Sequence, residues 1–203
     1  MSKKIVIAFE GIEGSGKTFH IDNVSKYFKR KKIPHIKIRE PGGNKNSEKI
    51  RKLILDKKSN FHKNTDLLLY LAARSENIDN LKKNFRKKII LLDRFIDSTI
   101  AYQHFGMGVD LDIIKKINNH ILKSFKVDFT FLSIVDISNM QNRLKQRKKL
   151  NRYDKFKEKF YKKVQNGFLR ISKNKKRYKI INSNLPIDLN KKIIIKKIEK
   201  LVR

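Results

Sequence analysis

Short apolar runs alternate along this chain with stretches where apolar residues return every three or four positions. Ile5–Phe9 is an unbroken apolar run of strand length, and Lys17–Lys31 places Ile21, Val24 and Phe28 on one helical face. Pro34 marks a turn. His35–Arg39 reads as a second strand, broken by Pro41-Gly42-Gly43. Ser47 is placed to cap a helix through Leu55 with Ile50, Leu53 and Ile54 inward. Thr65 is placed to cap a longer helix through Phe85 that carries Leu68, Leu69, Leu71 and Leu81. Lys88–Leu92 reads as a buried strand ending at Asp93. A helix opening at Asp110 or Asp112 runs to about Phe125, and Phe129–Val135 is another strand. Ser138 caps a helix that enters the basic stretch Arg143–Arg152, and Asp154–Lys173 continues as helix. Tyr178–Ile181 is a last strand and Leu189–Val202 a last amphipathic helix. Strands separated by helices predict an α/β fold with a parallel sheet covered on both faces, and ligands along the strand C-termini. No internal repeat or interdomain linker interrupts the pattern, so residues 1–203 are expected to form one domain.

Composition narrows the class. Hydrophobic residues make up 39% of 203, and no apolar stretch approaches bilayer length. The first apolar run is five residues long and leads into a glycine-rich segment, which reads as a strand and not a signal peptide. With no cysteine, disulfides, thiolate catalysis and cysteine metal sites are excluded, and a reducing cytoplasm is compatible. The charge is extreme: 51 Lys and Arg against 19 Asp and Glu, a formal +32. Such a field attracts polyanions. The lysines are nevertheless spread over the whole chain, with no separate basic tail and no aromatic-studded basic strand, so nucleic acid is not expected as the main partner.

The clearest chemistry lies at Gly11-Ile12-Glu13-Gly14-Ser15-Gly16-Lys17-Thr18, directly after the first strand and opening the first helix. This is the phosphate-loop pattern in its required context. Backbone N–H groups and a helix N-terminus cradle phosphates, Lys17 reaches the β- and γ-phosphates, and Thr18 offers a hydroxyl to Mg2+. A nucleoside triphosphate is the expected ligand, and a merely glycine-rich corner the plainer alternative.

Three further segments narrow the reaction. Asp93 ends a buried strand, where such folds hold Mg2+, and Arg94 beside it can bridge two phosphates; a structural ion pair is the alternative. Arg39-Glu40-Pro41-Gly42-Gly43 with Arg51 and Arg74 gathers arginines suited to a monophosphate. Tyr70 lies four residues before Arg74 on the same helix face, where it can stack on a base or simply pack in the core. Residues 142–152 form a polar, Arg- and Lys-rich stretch that can fold over transferring phosphates or stand as a solvated charge run. The Asn44-Lys45-Asn46-Ser47 stretch lacks the aspartate of a guanine-reading motif, and the length leaves little room for paired helicase motors.

Together these segments resemble the thymidylate kinases of the bacterial type over nearly the whole chain. The most specific stretch is Asp93-Arg94-Phe95-Ile96-Asp97-Ser98-Thr99-Ile100-Ala101-Tyr102-Gln103. The resemblance implies a P-loop NTPase three-layer fold with a five-stranded parallel sheet flanked by helices. It implies transfer of phosphate from ATP to dTMP with Mg2+, and a cytoplasmic homodimer. Carried over residue by residue, Glu13 would approach the deoxyribose and the metal region, and Thr18 and Asp93 would lie near Mg2+, directly or through water. Arg39, Glu40 and Arg51 would line the acceptor phosphate end. Tyr70 stands where the family usually has Phe and would stack on thymine. Arg74 would read the base edge and not chiefly the phosphate, which revises the clamp suggested by spacing alone. Ser98, Thr99 and Gln103 would line the nucleoside pocket, and Tyr102 would crowd the 2′ side of the sugar. Arg143, Arg147 and Arg152 match the arginines of a lid at about residues 142–153. The remaining alternatives are another nucleotide or deoxynucleoside kinase, a nucleic-acid-binding P-loop ATPase, or a relative that only binds.

Overall fold

Residues 4–147 and 150–202 are described by the computed structural model. Lys148 and Lys149 of the basic stretch lie outside them. Five strands, β1 (Val6–Gly11), β2 (His35–Arg39), β3 (Ile89–Asp93), β4 (Phe129–Ile134) and β5 (Tyr178–Asn182), form one sheet in the order β2-β3-β1-β4-β5. Every neighbouring pair is parallel. The helices are α1 (Lys17–Arg30), α2 (Lys45–Leu55), α3 (Lys63–Phe85), α4 (Ile96–Thr99), α5 (Leu111–Leu122), α6 (Ile137–Lys145), α7 (Glu158–Ser172) and α8 (Ile187–Val202). α4 runs straight into π-type turns at Ile100–Gly106, and a 3-10 turn (Arg152–Lys155) precedes α7. No helix among the described residues is long and apolar enough to cross a membrane.

β1 is buried along its whole length because both faces of the sheet are covered. Ile5, Ile7 and Phe9 point to the layer formed by Ile21, Val24 and Phe28 of α1 with Ile194 and Ile198 of α8. Val6 and Ala8 point the other way, toward Ile78 and Leu81 of α3 and Leu122 of α5. The connection out of β1 runs to β2 and returns through β3 on one side, then crosses to β4 on the other. The C-terminal end of β1 is therefore the switch point where such sheets open a crevice.

Several predicted helix starts move. α2 begins at Lys45, and Asn44 is its cap, accepting the Ser47 N–H at 2.9 Å; the Ser47 hydroxyl instead donates to the Gly42 carbonyl at 3.0 Å. α3 begins at Lys63 after His62, ahead of Thr65. α6 begins at Ile137 after Asp136, ahead of Ser138. Leu53, expected inward, is 49% exposed; on α3, Leu68 is 56% exposed and Leu67 is buried. The helix expected over Asp154–Lys173 is broken. Asn151 and Asp154 cap each other to close the 3-10 turn, and α7 starts afresh at Glu158.

Candidate active site

The glycine-rich turn leaves β1 with Gly11 at φ 141° and enters α1 through Gly16 at φ 77°. Both lie in the region closed to most side chains. A Cβ on Gly11 would stand 2.4 Å from the Ser133 carbonyl oxygen, so the turn needs a bare backbone there. Three of the loop carbonyls are held by cations. Lys17 Nζ donates to Ile12 O at 3.0 Å, Arg94 Nη1 to Gly11 O at 2.9 Å, and Arg143 Nη1 to Gly14 O at 2.9 Å. Gly14 and Ser15 complete the turn, and the Ser183 hydroxyl donates to Ser15 O at 2.8 Å. With these oxygens engaged, the loop and the α1 N-terminus offer backbone N–H groups to an anion.

Asp93 ends β3 beside Phe9 of β1, and the Thr18 hydroxyl donates to its carboxylate at 3.1 Å. Arg94 follows at φ 70°, a backbone state that a long side chain adopts only under constraint. It is held from several directions: Gly11 O, Ser98 Oγ at 3.0 Å, Glu13 Oε1 at 2.7 Å, and the Tyr102 ring 5.1 Å from its guanidinium carbon. The Tyr102 hydroxyl also donates to Glu13. Burial alone would raise Glu13, but the charges of Arg94 and Lys17 outweigh it and hold its carboxyl below its ordinary value. Lys17 is pushed down to about 8, first by burial and then by Arg94, against the pull of Glu13, Asp93 and Glu10.

Across the cleft, α3 presents Tyr70 and Arg74. Arg74 is 2% exposed and gives three of its five donors to protein: Glu40 at 2.8 Å, Asn118 at 2.6 Å and Thr99 at 3.0 Å. Burial raises the Glu40 carboxyl, an effect offset in part by Arg74, and Glu40 Oε1 has no partner. Tyr70 meets Tyr153 edge to face at 6.1 Å, and their hydroxyls are within hydrogen-bonding reach, which gives the Tyr70 hydroxyl a neighbour. Arg39 pairs with Glu48 at 2.9 Å, and Arg51 donates to Pro41 O at 2.7 Å. One cleft of about 840 Å3, part of it open to solvent, brings these groups together. Lys17, Thr18, Asp93 and Arg94 line it together with Arg39, Arg51, Tyr70 and Arg74. Ser98, Thr99, Tyr102 and Gln103 line it as well.

The three basic-stretch arginines part company. Arg147 lines the cleft and pairs with Asp154 at 3.0 Å. Arg143 braces the phosphate loop from outside and also donates to Ser183 O at 2.7 Å. Arg152 pairs with Asp66 and lies over the rings of Phe61 and Tyr153.

Sequence reading passed over Glu10, Asp66, Asn118 and Tyr153. Glu10 accepts the N–H groups of Phe95 and Ser98 at 2.8 and 3.3 Å and the Ser98 hydroxyl at 2.5 Å, so it braces the start of α4 beneath Arg94. Burial, then the neighbouring Asp97 charge, push its carboxyl up to about 7. A carboxylate ending an otherwise apolar strand was the signal for it. Asp66 lies four residues before Tyr70, on the face already picked out by Tyr70 and Arg74.

The sequence matches the Thymidylate kinase family over residues 9–194. The thymidylate kinase of Acholeplasma laidlawii is 38% identical over 198 residues, spanning 96% of this chain and 98% of that one. That of Thermosipho africanus is 36% identical over 184 residues, spanning 90% and 91%. The crystal structure of thymidylate kinase from Ehrlichia chaffeensis superposes with a TM-score of 0.77 at 30% identity, covering 96% of this chain and 98% of that one.

Proposed function

The chain belongs to the thymidylate kinase family and is an enzyme that transfers the γ-phosphoryl group of ATP to dTMP, giving dTDP, and we propose from this how its residues divide the work. ATP lies with its phosphates in the Gly11–Thr18 cradle. The dTMP base stacks on Tyr70, its edge meets Arg74 and Gln103, and its 5′-phosphate faces Arg39, Arg51 and Arg94. A 5′-phosphate oxygen attacks the γ-phosphorus in line while the bond to the bridging oxygen breaks toward ADP. The acceptor is already an anion, so no strong base is needed, and catalysis is positioning and charge neutralisation. Arg94 stands where the two phosphate chains meet, and its contacts with Gly11 O, Ser98 and Glu13 support a fixed orientation. Its contact with the phosphate loop, in the same cleft that Tyr70 and Arg74 line, is the observation that carries this reading.

Magnesium fits the same corner. The Thr18 hydroxyl and the Asp93 carboxylate are hard oxygen donors 3.1 Å apart, and such an ion completes its shell with phosphate oxygens and water. When bound it would neutralise charge on the β- and γ-phosphates. The described part of the basic stretch, residues 142–147 and 150–153, serves as the lid within a single domain, and Arg147 is its arginine for the transferring phosphoryl, as its place on the cleft supports. Arg143 serves the loop from behind, and Arg152 anchors the lid to α3. The enzyme works as a cytoplasmic homodimer, in keeping with a cysteine-free sequence and with exposed Leu53, Leu68 and Ile113 on α2, α3 and α5.

Gln103 gives its amide N–H to Asp66, leaving Oε1 buried without a partner. That acceptor suits the N3–H of thymine or uracil and opposes the N3 lone pair of cytosine. A panel of nucleosides and monophosphates with ATP tests the assignment. We expect dTMP first, dUMP lower by about 1–3 kcal/mol of transition-state binding for one methyl, and dCMP well below both. Equal rates on dCMP and dTMP would overturn the base pocket. DNA-stimulated ATP hydrolysis without nucleotide phosphorylation would overturn the kinase reading altogether.

A further inference from the structure

One buried carboxylate touches both the nucleoside pocket and the lid. Asp66, in the first turn of α3, is 1% exposed. Its Oδ2 accepts Gln103 Nε2 at 3.0 Å and the Tyr153 hydroxyl at 2.6 Å, and its other oxygen accepts Arg152 Nη2. All three partners donate, which matches a group that offers only lone pairs. Asp66, Tyr70 and Arg74 are spaced four apart along α3, so the carboxylate stands on the helix face that lines the cleft.

We propose that Asp66 is a positioning residue that fixes which end of the Gln103 amide faces the nucleoside, and thereby sets selection of dTMP over dCMP. A glutamine amide can present a donor or an acceptor to the same spot by turning over, and a free one would serve thymine and cytosine alike. Here the turn is closed off. Reversing the amide would bring its carbonyl oxygen against the Asp66 carboxylate, acceptor to acceptor, at a buried position: Gln103 is also 1% exposed. The NH2 end is therefore committed to Asp66, and Oε1, the end without a partner, remains for the ligand. The discrimination comes from Gln103 only because Asp66 has removed its freedom. The inference rests on the reading of Gln103 as a base-edge contact.

Asp66→Asn tests it. Asparagine nearly matches the shape but can itself turn to offer either a donor or an acceptor, so the Gln103 amide regains both orientations. The kcat/KM ratio of dCMP to dTMP is expected to rise about tenfold or more, while the ratio of dUMP to dTMP, which share N3–H, stays within about twofold. Loss of folded enzyme or a displaced lid scales both substrates together and leaves these ratios unmoved. Asp66→Glu keeps the carboxylate and is expected to keep the discrimination. It is the informative variant should Asp66→Asn not fold, and a rise of the dCMP-to-dTMP ratio in it would count against the inference. Gln103→Leu separates the two layers. If it relaxes the dCMP-to-dTMP discrimination and Asp66→Asn does not, Gln103 reads the base and the role of Asp66 is refuted. If Gln103→Leu leaves the discrimination intact, the base reading itself fails and the inference with it.

Discussion

Lys17 is 7% exposed, and its Nζ is tied to the Ile12 carbonyl in a loop that already holds Arg94 close by. Burial and that like charge bring its proton loss down to about 8. ATP must meet the ammonium form, so above that pH binding has to take up a proton. We expect kcat/KM for ATP to fall with rising pH above about 8, approaching tenfold per pH unit. The sign for stability is the reverse. The folded chain sheds this proton before the unfolded one, so the penalty of the buried ammonium is full below about 8 and is relieved as pH climbs toward the ordinary lysine value. A pH series of initial rates under limiting ATP checks the first statement, and a profile flat through pH 8–10 would refute it. Lys17→Arg should flatten the profile, since a guanidinium keeps its proton across this range. Lys17, Arg94, Tyr70 and Arg74 were legible in the sequence because local spacing marks them: a loop pattern, a strand end, a helix face. Asp66 and Asn118 were not. Their meaning comes from Gln103 and Arg74, 37 and 44 residues away, and no window of sequence contains both partners.

At the level of elements, strands and helix cores followed from periodicity, while starts and breaks did not. Serine and threonine read as caps because their hydroxyls can accept from backbone N–H groups. Asn44 outcompetes Ser47 because the Ser47 hydroxyl is drawn back to the Gly42 backbone of the preceding turn. The break before α7 contains no glycine or proline. It arises because Tyr153 is carried inward between Tyr70 and Tyr102. The π-type turns at Ile100–Gly106 carry Tyr102 and Gln103 and pack closely on α7. Gly167 of α7 is the point of nearest approach: a Cβ there would lie 2.6–2.8 Å from side-chain atoms of Phe105. Gly167→Ala gains up to about 1 kcal/mol of helix propensity but overpacks this contact by roughly 1–3 kcal/mol. We therefore expect a net loss of about 1 kcal/mol in urea unfolding, with KM for dTMP raised more than KM for ATP because the displaced turns carry the nucleoside pocket. A variant as stable as the parent with an unchanged KM for dTMP would show that these turns tolerate movement.

For the molecule as a whole, the parallel sheet was legible because five strand-like runs separated by helical periods admit few arrangements, and the switch point then fixes where the cleft opens. The formal +32 says less about partners than about distance: two anionic substrates approach a cationic body whose lysines are spread over its surface. What periodicity could not give was which apolar residues stay outside. Leu53 sits in a helical pattern that reads as inward, yet remains about half exposed, as do Leu68 at 56% and Ile113 at 51%. They lie on helices that pack in succession, α2 on α3 and α3 on α5, and α3 also carries Asp66, Tyr70 and Arg74. Unlike scattered exposed leucines, which need no explanation, a set on adjoining helices matches the apolar centre of an interface between two copies. Sedimentation of the native chain at micromolar concentration is expected to give twice its 24.1 kDa, and Leu68→Glu, which sets a charge and its symmetry mate into the same contact, is expected to give the monomer. A native chain that sediments as a monomer throughout that range, or an Leu68→Glu variant that remains dimeric, would remove α3 from the interface and leave its exposed leucine as ordinary surface.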